Sequence, residues 1–356
     1  MPRRTATLLT STLLLIALLC VGVLIPVPYS EMSPGPTVNT LGDNDGQPVL
    51  QISGHKTYPT SGNLNMTTVR VTGSDYTMNL VEAVAGWLSD DDVVVPHSTL
   101  YPDNQTAQQA NQEDAEEFSQ SQDSAKAAAL KALHIPVGSQ VVVGAVVKGD
   151  PAEGKLHAGD VIKAVDGTAV TQPGDVAKLV TKHKPGQDVV FTVIPAKNAG
   201  TSGAATRKVA VRTAKASDND RAIVGIQAQT AHTYPFPINI QLANVGGPSA
   251  GMMFSLGIID KLTPTDLTGG KFVAGTGTID DNGNVGPIGG IPLKIIAAHD
   301  AGATYFLTPK GNCAEASQNP PSGIRLVEVS TLNDSLGALT DIREGKLSAL
   351  PSCTKG

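Results

Sequence analysis

The chain has 356 residues, of which 40% are hydrophobic and only 4% aromatic, and 26 basic against 32 acidic residues give it a formal net charge of −6. This length allows two or three domains, each with a hydrophobic core of its own. The sequence has no run of Lys or Arg and no basic stretch interleaved with aromatic residues, which argues against a nucleic-acid partner.

Residues 1–30 predict a transmembrane anchor that is separate from the folded domains. Arg3 and Arg4 precede a stretch without charge at 5–30, whose apolar centre is 8–27. Twenty helical residues span about 30 Å, which matches the hydrocarbon core of a bilayer. The positive flank predicts a single pass with the N-terminus in the cytoplasm and the rest of the chain outside. A cleaved signal peptide is the alternative, although the sequence shows no A-x-A site and the apolar run exceeds the usual length of about 7 to 15 residues.

The cysteines fit an oxidising compartment. Cys20 lies in the apolar segment, which leaves Cys313 and Cys353 in the part predicted to lie outside the membrane. An even number of cysteines there predicts a disulfide that ties the C-terminal tail to the preceding domain. Two free buried thiols are the alternative.

Charge divides the remaining chain into three parts, with a net charge of −10 at 31–134, +4 at 135–221 and −2 at 222–356. The first part is predicted to be a small α/β extracytoplasmic region. Residues 48–73 alternate like paired strands with a turn near Ser61 and Gly62, and helical patterns follow at 78–88 and 111–135. The acidic face of the last helix is interpreted as a solvated surface, so this region gives no indication of function.

The middle part carries a more specific pattern. Residues 141–198 predict a strand, a Gly-Asp-Pro-Ala turn, a strand that ends in an Asp-Gly turn, a short helix near 175–183 and a further strand. The block "GDPAEGKL-AGDVIKAVDG" resembles a PDZ domain of the bacterial protease-associated kind, and the predicted domain spans 135–215. A PDZ fold is a β-sandwich or barrel with helices.

The PDZ resemblance implies a groove that binds the C-terminus of a peptide. The peptide is expected to add as a strand beside 141–147, against the helix at 176–180. The sequence lacks a Gly-Leu-Gly-Phe carboxylate loop, and 135–140 is the predicted substitute. The expected groove residues are Ile135, Val141, Val143, Val176 and Val180. A PDZ fold that serves only as a spacer is the alternative.

The last part places one serine beside an apolar helix. In "GGPSAGMMFSLGIIDKL", Ser249 is predicted to lie in the first turn, where backbone N–H groups lack intrahelical partners and the helix dipole favours negative charge. These features suit an oxyanion, and they suit an ordinary serine cap equally well. The sequence has no G-x-x-x-x-G-K-[ST], no H-E-x-x-H and no Cys/His cluster, so no ATP site, metal or cofactor is predicted.

Lys294 is the candidate base for such a serine. Its neighbours on the predicted helix cannot neutralise an ammonium group, since they are Gly290, Ile291, Ala297 and Ala298. Burial on this face would lower the lysine pKa from its usual ~10.4. A neutral amine could then accept the proton of a serine hydroxyl. A lysine that extends from an amphipathic helix into solvent is the alternative.

The two segments together resemble the proteolytic domain of the Lon peptidase family over 222–350. The motifs G-P-S-A-G and P-I-G-G-x-x-x-K carry the resemblance, with "GTGT" between them. It implies that Ser249 is the nucleophile, that Lys294 is the general base and that Thr276 orients the lysine amine. The amides near Ser249 and Ala250 are expected to stabilise the oxyanion. This sequence departs from the family at Thr278, where Lon enzymes commonly have Glu, and in "IPLK", which replaces "LKEK".

The whole chain resembles the membrane-anchored PDZ-Lon proteins of bacteria, which implies an α+β multidomain fold. The resemblance implies an ATP-independent serine endopeptidase on the extracytoplasmic side of a bacterial cytoplasmic membrane. Its expected partners are unfolded or extended protein segments, presented partly through the PDZ domain, and further copies of itself in a ring. A non-catalytic, membrane-anchored peptide-binding scaffold is the alternative.

Overall fold

The computed structural model describes residues 3–89, 91–102, 106–199, 203–217, 220–243 and 245–353. The chain forms two compact units. Residues Met1–Ile135 and Phe236–Gly356 form the first, called the split unit here because it is discontinuous in sequence. Residues Pro136–Pro235 form the second, the inserted unit.

The described chain contains both helices and strands. The helices are α1 (Arg3–Leu24), α2 (Leu80–Leu88), α3 (His97–Leu100), α4 (Ala107–Ala132), α5 (Pro173–Val180), α6 (Gly251–Leu262), α7 (Ile291–Asp300), α8 (Cys313–Ala316) and α9 (Leu332–Glu344). The strands of the first half are β1 (Tyr29–Asn39), β2 (Asp43–Asn44), β3 (Gln47–Pro48), β4 (Leu50–Ile52), β5 (Asn63–Val71), β6 (Val93–Pro96), β7 (Gly138–Val146), β8 (Val161–Val165), β9 (Thr168–Ala169) and β10 (Asp188–Ile194). The strands of the second half are β11 (Arg207–Arg212), β12 (Ala214–Lys215), β13 (Ala222–Ile223), β14 (Ile226–Thr233), β15 (Ile238–Ile240), β16 (Phe272–Gly275), β17 (Thr278–Ile279), β18 (Val285–Gly286), β19 (Tyr305–Pro309) and β20 (Arg325–Val329).

The split unit is built on a mixed six-stranded sheet in the order β20-β19-β16-β5-β1-β6. Strands β20, β19, β16 and β5 are mutually parallel, whereas β1 is antiparallel to both of its neighbours. Half of the sheet therefore comes from residues before the inserted unit. The prediction of separate regions at 31–134 and 222–350 was wrong. Strand β5 of the first region pairs directly with β16 of the second, so the strands of both regions form one sheet.

Two local predictions in the split unit also need correction. Residues 48–73 do form strands with a turn at Gly62, but β4 pairs with β15 and β5 pairs with β1 and β16, so these strands are not partners of each other. The predicted surface helix corresponds to α4, and its alanine-rich last turns are buried against α6. Phe118 of α4 meets Phe254 of α6 edge to face, with ring centroids 5.9 Å apart.

The inserted unit contains a sheet in the order β11-β10-β8-β7-β14, with β9 paired to β8. Its core consists mainly of Val, Ile and Phe side chains from these strands and from α5, among them the fully buried Phe191. The predicted domain ended at 215, but the unit runs to Pro235 because β14 pairs along most of β7. The last strand of the unit had no counterpart in the prediction.

Two features lie at the ends of the split unit. Within the described residues, α1 is the one helix long and apolar enough to cross a bilayer, over Thr7–Leu24. A membrane anchor and a signal sequence share this length and composition. Near the C-terminus, a disulfide joins Cys313 to Cys353, the pair that the sequence predicted. The tail also pairs with β20, since the amide of Glu328 donates to the carbonyl of Pro351 at 3.0 Å.

Candidate active site

Ser249 lies one residue before the N-cap of α6. The helix begins at Gly251 with Ala250 as its N-cap, so the serine is just outside the first turn in which it was predicted. Its carbonyl accepts two hydrogen bonds, from the amide of Gly277 at 2.8 Å and from the hydroxyl of Thr276 at 3.0 Å. These bonds fix the serine backbone against the end of β16. The side chain is therefore held at the start of the helix without acting as a cap.

Lys294 reaches this serine from the second turn of α7. The helix starts after Gly290, which has φ +68, and a Cβ at that position would lie 3.0 Å from Cγ1 of Val69. Glycine there permits both the left-handed backbone and the close approach of α7 to β5. The lysine is only 2% exposed, and burial lowers its pKa to about 8 from an ordinary value of 10.5. The alternative of a solvent-exposed lysine is thereby excluded.

Three side chains meet at one point. The Nζ of Lys294 lies 2.7 Å from Oγ of Ser249 and 3.1 Å from Oγ1 of Thr276. Thr276 is fully buried, whereas Ser249 is half-buried and faces a cleft. Buried polar groups need hydrogen-bond partners, and the two hydroxyls supply them for the amine. The arrangement offers a nucleophile in direct contact with a group that can be neutral near pH 8.

The cleft at Ser249 has a volume of about 510 Å³. One wall is the last part of β5, from Met66 to Val71, and the other is the segment 245–250. Strand β16 pairs with β5 only as far as Met66, so the described strands leave the following residues of β5 without a partner on that side. In the part of the chain that the structure describes, hydrogen bonds engage the amides of Gly247 and Met252 but not those of Ser249 and Ala250.

The predicted peptide groove of the inserted unit is only partly supported by the structure. Strand β7 has β8 on one side and β14 on the other, so no peptide can add beside 141–147. Val141 and Val143 are buried in the core. Ile135 belongs to the split unit, where its amide donates to the carbonyl of Leu130 at the end of α4. These three assignments were wrong, because a strand that the sequence left undetected occupies the expected edge.

A groove of about 450 Å³ does lie along α5, between this helix and the segment 221–228. Val176 and Val180 line it, as predicted, but the facing backbone is β13 and the start of β14. Strand β14 is the outermost strand of its sheet. Gly225 has φ +74 and makes the bend that leads into β14. The groove thus combines an apolar helix face with a strand edge.

The sequence contained a signal for this segment that the prediction missed. Residues 222–226 read Ala-Ile-Val-Gly-Ile, an apolar run interrupted by one glycine, which is the kind of pattern sought at 135–140. The prediction placed this pattern before β7, whereas the chain has it at β13, directly before β14. No group of three or more His, Cys, Asp or Glu residues able to hold a metal ion occurs among the described residues.

Two known protein families match parts of this chain. The PDZ domain family matches residues 112–201, and the Lon protease (S16) C-terminal proteolytic domain matches residues 241–339. The PDZ match begins inside α4 and ends before the groove segment at 221–228. Neither match includes β1 or β5, which the structure adds to the sheet of the proteolytic domain.

Relatives of known name match over limited lengths. The Lon protease of Azospirillum brasilense is 40% identical over 93 residues, covering 25% of this chain and 11% of that protein. The Lon protease of Chloroflexus aggregans is 37% identical over 92 residues, covering 25% and 11%. Lon protease 1 of Bacillus subtilis is 31% identical over 118 residues, covering 32% and 15%. The chain thus spans only a small part of the length of these relatives.

Among solved structures, the PDZ domain of the SdrC-like protein from Listeria innocua is similar at 23% identity. The match covers 24% of this chain and 90% of the Listeria chain, with a TM-score of 0.21. The family matches and the Lon relatives agree with the serine, threonine and lysine that meet at the end of β16. This protein combines a PDZ domain with a Lon-type proteolytic domain.

Proposed function

We propose that the split unit is an ATP-independent serine endopeptidase with a Ser249–Lys294 dyad. The observation that carries the proposal is the 2.7 Å contact between Oγ of Ser249 and Nζ of Lys294, with the lysine almost completely buried. Burial lowers the pKa of the lysine to about 8, so a substantial fraction of the amine is neutral at physiological pH. A non-catalytic scaffold would have no need of a buried lysine without a carboxylate partner.

In the proposed reaction, Nζ of Lys294 takes the proton of the Ser249 hydroxyl as Oγ attacks a peptide carbonyl carbon. The unengaged amides of Ser249 and Ala250 stabilise the negative oxygen that forms. The lysine ammonium then gives its proton to the departing amine, and a water molecule hydrolyses the acyl-enzyme. Thr276 holds the amine in place. Because only the neutral amine accepts a proton, the rate rises as the pH increases through about 8.

The cleft fits an extended polypeptide. Residues 67–71 of β5 offer a strand edge along the wall of the cleft that holds Ser249, and a substrate strand can pair with it. None of the steps above uses a nucleotide. Without a motor that unfolds its substrates, such an enzyme cuts segments that are already unfolded or extended.

The inserted unit is proposed to present substrates through their C-termini. A peptide that adds to the edge of β14, against α5, would fill the groove lined by Val176 and Val180. Its tether to the peptidase would raise the local concentration of substrate into the millimolar range expected for short linkers. The groove at 221–228 thereby replaces the predicted one.

The proposed location is the extracytoplasmic side of a bacterial cytoplasmic membrane, with α1 as an uncleaved anchor. Two observations support it. The apolar helix α1 has the length of a bilayer core, and the disulfide between Cys313 and Cys353 fits an oxidising compartment. A ring-shaped homo-oligomer stays a prediction that rests on the Lon resemblance alone.

The test of the peptidase proposal is the substitution Ser249→Ala, with cleavage of unfolded casein as the measurement. We expect turnover to be lost while the melting temperature stays unchanged, because the hydroxyl is removed without disturbing the carbonyl that Gly277 and Thr276 bind. Ser255→Ala is the matched control, because this serine lies inside α6 and its hydroxyl bonds only the backbone carbonyls of Ala125 and Gly251. Cleavage by Ser249→Ala at the wild-type rate contradicts the proposal.

A further inference from the structure

An exposed apolar surface lies next to the C-terminal end of α1. Among the described residues after position 25, seven of the nine exposed large hydrophobic side chains lie between positions 71 and 93, and four of these form one side of α2. We call these four the α2 face: Leu80, Val84, Trp87 and Leu88, which are 36%, 42%, 51% and 81% exposed. Apolar side chains that are merely scattered over a surface need no explanation, whereas a contiguous patch marks a contact site.

The α2 face is a continuous helical stripe without charge. The spacing of four, three and one residues places its members on the same side of the helix. The opposite side is already packed, because Ala83 and Gly86 are buried and Gly86 lies against Val94 of β6. The one charged residue of α2, Glu82, accepts hydrogen bonds from the amide of Asn79 at 3.0 Å and from the hydroxyl of Tyr76 at 2.9 Å.

Backbone hydrogen bonds fix α2 to the end of the apolar span. The amide of Leu80 donates to the carbonyl of Ile25 at 3.0 Å, and the amide of Val27 donates to the carbonyl of Met78 at 2.9 Å. A Cβ placed on Gly22 would lie 3.1 Å from the side chain of Val81. Because Gly22 belongs to the span Thr7–Leu24, α2 lies level with the last turn of the span.

An aromatic pair stands at the same level. The rings of Trp87 and Tyr29 meet edge to face with centroids 5.1 Å apart, directly after the end of α1. Trp and Tyr are enriched where a protein crosses from hydrocarbon to water, because their rings are apolar and their polar groups can still bind water or headgroups.

From these contacts we propose that α2 lies in the headgroup region of the bilayer that α1 crosses, as a second membrane contact. The inference rests on the proposed membrane anchor. The contact is hydrophobic in character, since the α2 face has no Lys or Arg and the segment that follows it contains Asp91 and Asp92. A zwitterionic lipid surface therefore suffices, and anionic lipids add no affinity.

This contact places the proposed catalytic cleft close to the membrane. Strand β1 runs from Tyr29, beside Trp87, towards Pro36 in the cleft wall. Val71 of β5, which also lines the cleft, is the register partner of Met32 of β1. Met32 is three residues from Tyr29, a distance of roughly 10 Å along a strand. The favoured substrates are thus extended segments that emerge close to the extracytoplasmic surface of the cytoplasmic membrane.

Trp87 makes the proposal directly measurable because it is the only tryptophan of the chain. The full chain is reconstituted in phosphatidylcholine nanodiscs at one copy per disc, with lipids brominated near the glycerol end of the acyl chains. We expect these lipids to quench Trp87 fluorescence about twofold or more, while aqueous acrylamide quenches it weakly, as for an interfacial tryptophan. A disc-bound chain whose Trp87 is quenched by acrylamide but not by the brominated lipid overturns the proposal.

Variants separate the α2 face from general effects. The double substitution Val84→Asp with Leu88→Asp keeps Trp87 and is expected to abolish quenching by the brominated lipid, whereas Leu347→Asp, at an exposed apolar residue outside the patch, leaves it intact. Retained quenching in the double variant overturns the proposal, as does quenching that appears only when several copies share a disc. Circular dichroism melting confirms that each variant is folded.

The same samples distinguish this inference from the functions on which it rests. A chain that fails to remain with the discs refutes the anchor, and the second membrane contact with it. Cleavage of unfolded casein in detergent tests the peptidase independently of any membrane contact. A chain that stays in the discs and cleaves casein, but leaves Trp87 in water, overturns the α2 contact alone.

Discussion

The candidate catalytic site of the split unit and the groove of the inserted unit are built in different ways. In the first, three side chains from separate segments of the chain converge within hydrogen-bond distance, and Lys294 and Thr276 are buried. In the second, the edge of a strand and one face of α5 enclose about 450 Å³. Chemistry in the first depends on which residues are present, whereas binding in the second depends on which strand lies at the edge. The two sites therefore respond differently to substitution.

The largest effect is expected for Lys294→Met in the catalytic site. Methionine fills a similar volume but cannot accept a proton, so peptidase activity falls by ~10²- to 10⁴-fold, the usual contribution of a general base. The same change should stabilise the fold. With the folded-state pKa at about 8 and an ordinary value of 10.5, keeping the buried amine charged costs on the order of 3 kcal/mol below pH 8. This cost decreases as the pH rises above 8 and vanishes above 10.5.

Casein cleavage and denaturant unfolding at pH 7 and near pH 11 measure both consequences. Lys261→Met is the matched control, because burial also lowers the pKa of Lys261. This lysine lies in the last turn of α6, at the end of the helix far from Ser249, and its amine donates to the carbonyl of Leu41. This control should keep its activity. A Lys294→Met protein that is inactive and less stable than wild type at pH 7 contradicts the assignment, since the lysine would then be a structural group.

The sequence indicated the candidate catalytic residues through the motifs around them, and the structure brings Ser249, Thr276 and Lys294 together. Lys294 had no partner for its charge on its own helix, and Ser249 followed a Gly-Gly-Pro turn before an apolar helix. What the sequence could not show was strand pairing between distant segments. Strand β5 pairs with β16 across some two hundred residues, and nothing in the local pattern of either strand specifies that partner. For the same reason β14 was missed, and with it the groove between α5 and the segment 221–228.

A smaller effect, confined to substrate capture, is expected for Ala177→Arg in the groove. Ala177 is exposed on α5 and lines the groove, so an arginine there occupies peptide space without disturbing the core. We expect KM to rise by on the order of 10²-fold for extended substrates with a preferred free C-terminus, because tethering is lost, while kcat is unchanged. Kinetics on substrates that differ only in their last four residues measure this effect.

Lys178→Arg is the control, since it places an arginine one position along α5, outside the lining of the groove. The same substrates with an amidated C-terminus provide a second control, because a PDZ groove recognises the terminal carboxylate. If Ala177→Arg changes KM equally for free and amidated substrates, the groove does not read C-termini. If it changes neither, the inserted unit acts only as a spacer.

The smallest effect is expected for Thr276→Val, which removes a hydroxyl that orients the base but retains the base, Lys294. Valine preserves the shape of the buried side chain but removes the hydroxyl that bonds both Nζ of Lys294 and the carbonyl of Ser249. One such bond contributes about 1.5 kcal/mol, so kcat should fall roughly tenfold with little change in KM.

Because the hydroxyl oxygen of Thr276 accepts a hydrogen bond from the ammonium form of Lys294, its loss disfavours that form. The lysine pKa should fall further, and the midpoint of the pH–rate profile should move below that of the wild type. Thr276→Ser retains the hydroxyl and should restore both the rate and the midpoint. A valine variant with reduced kcat and an unshifted midpoint contradicts contact of the threonine with the base, because general loosening of the site slows the reaction without changing the proton affinity of the amine.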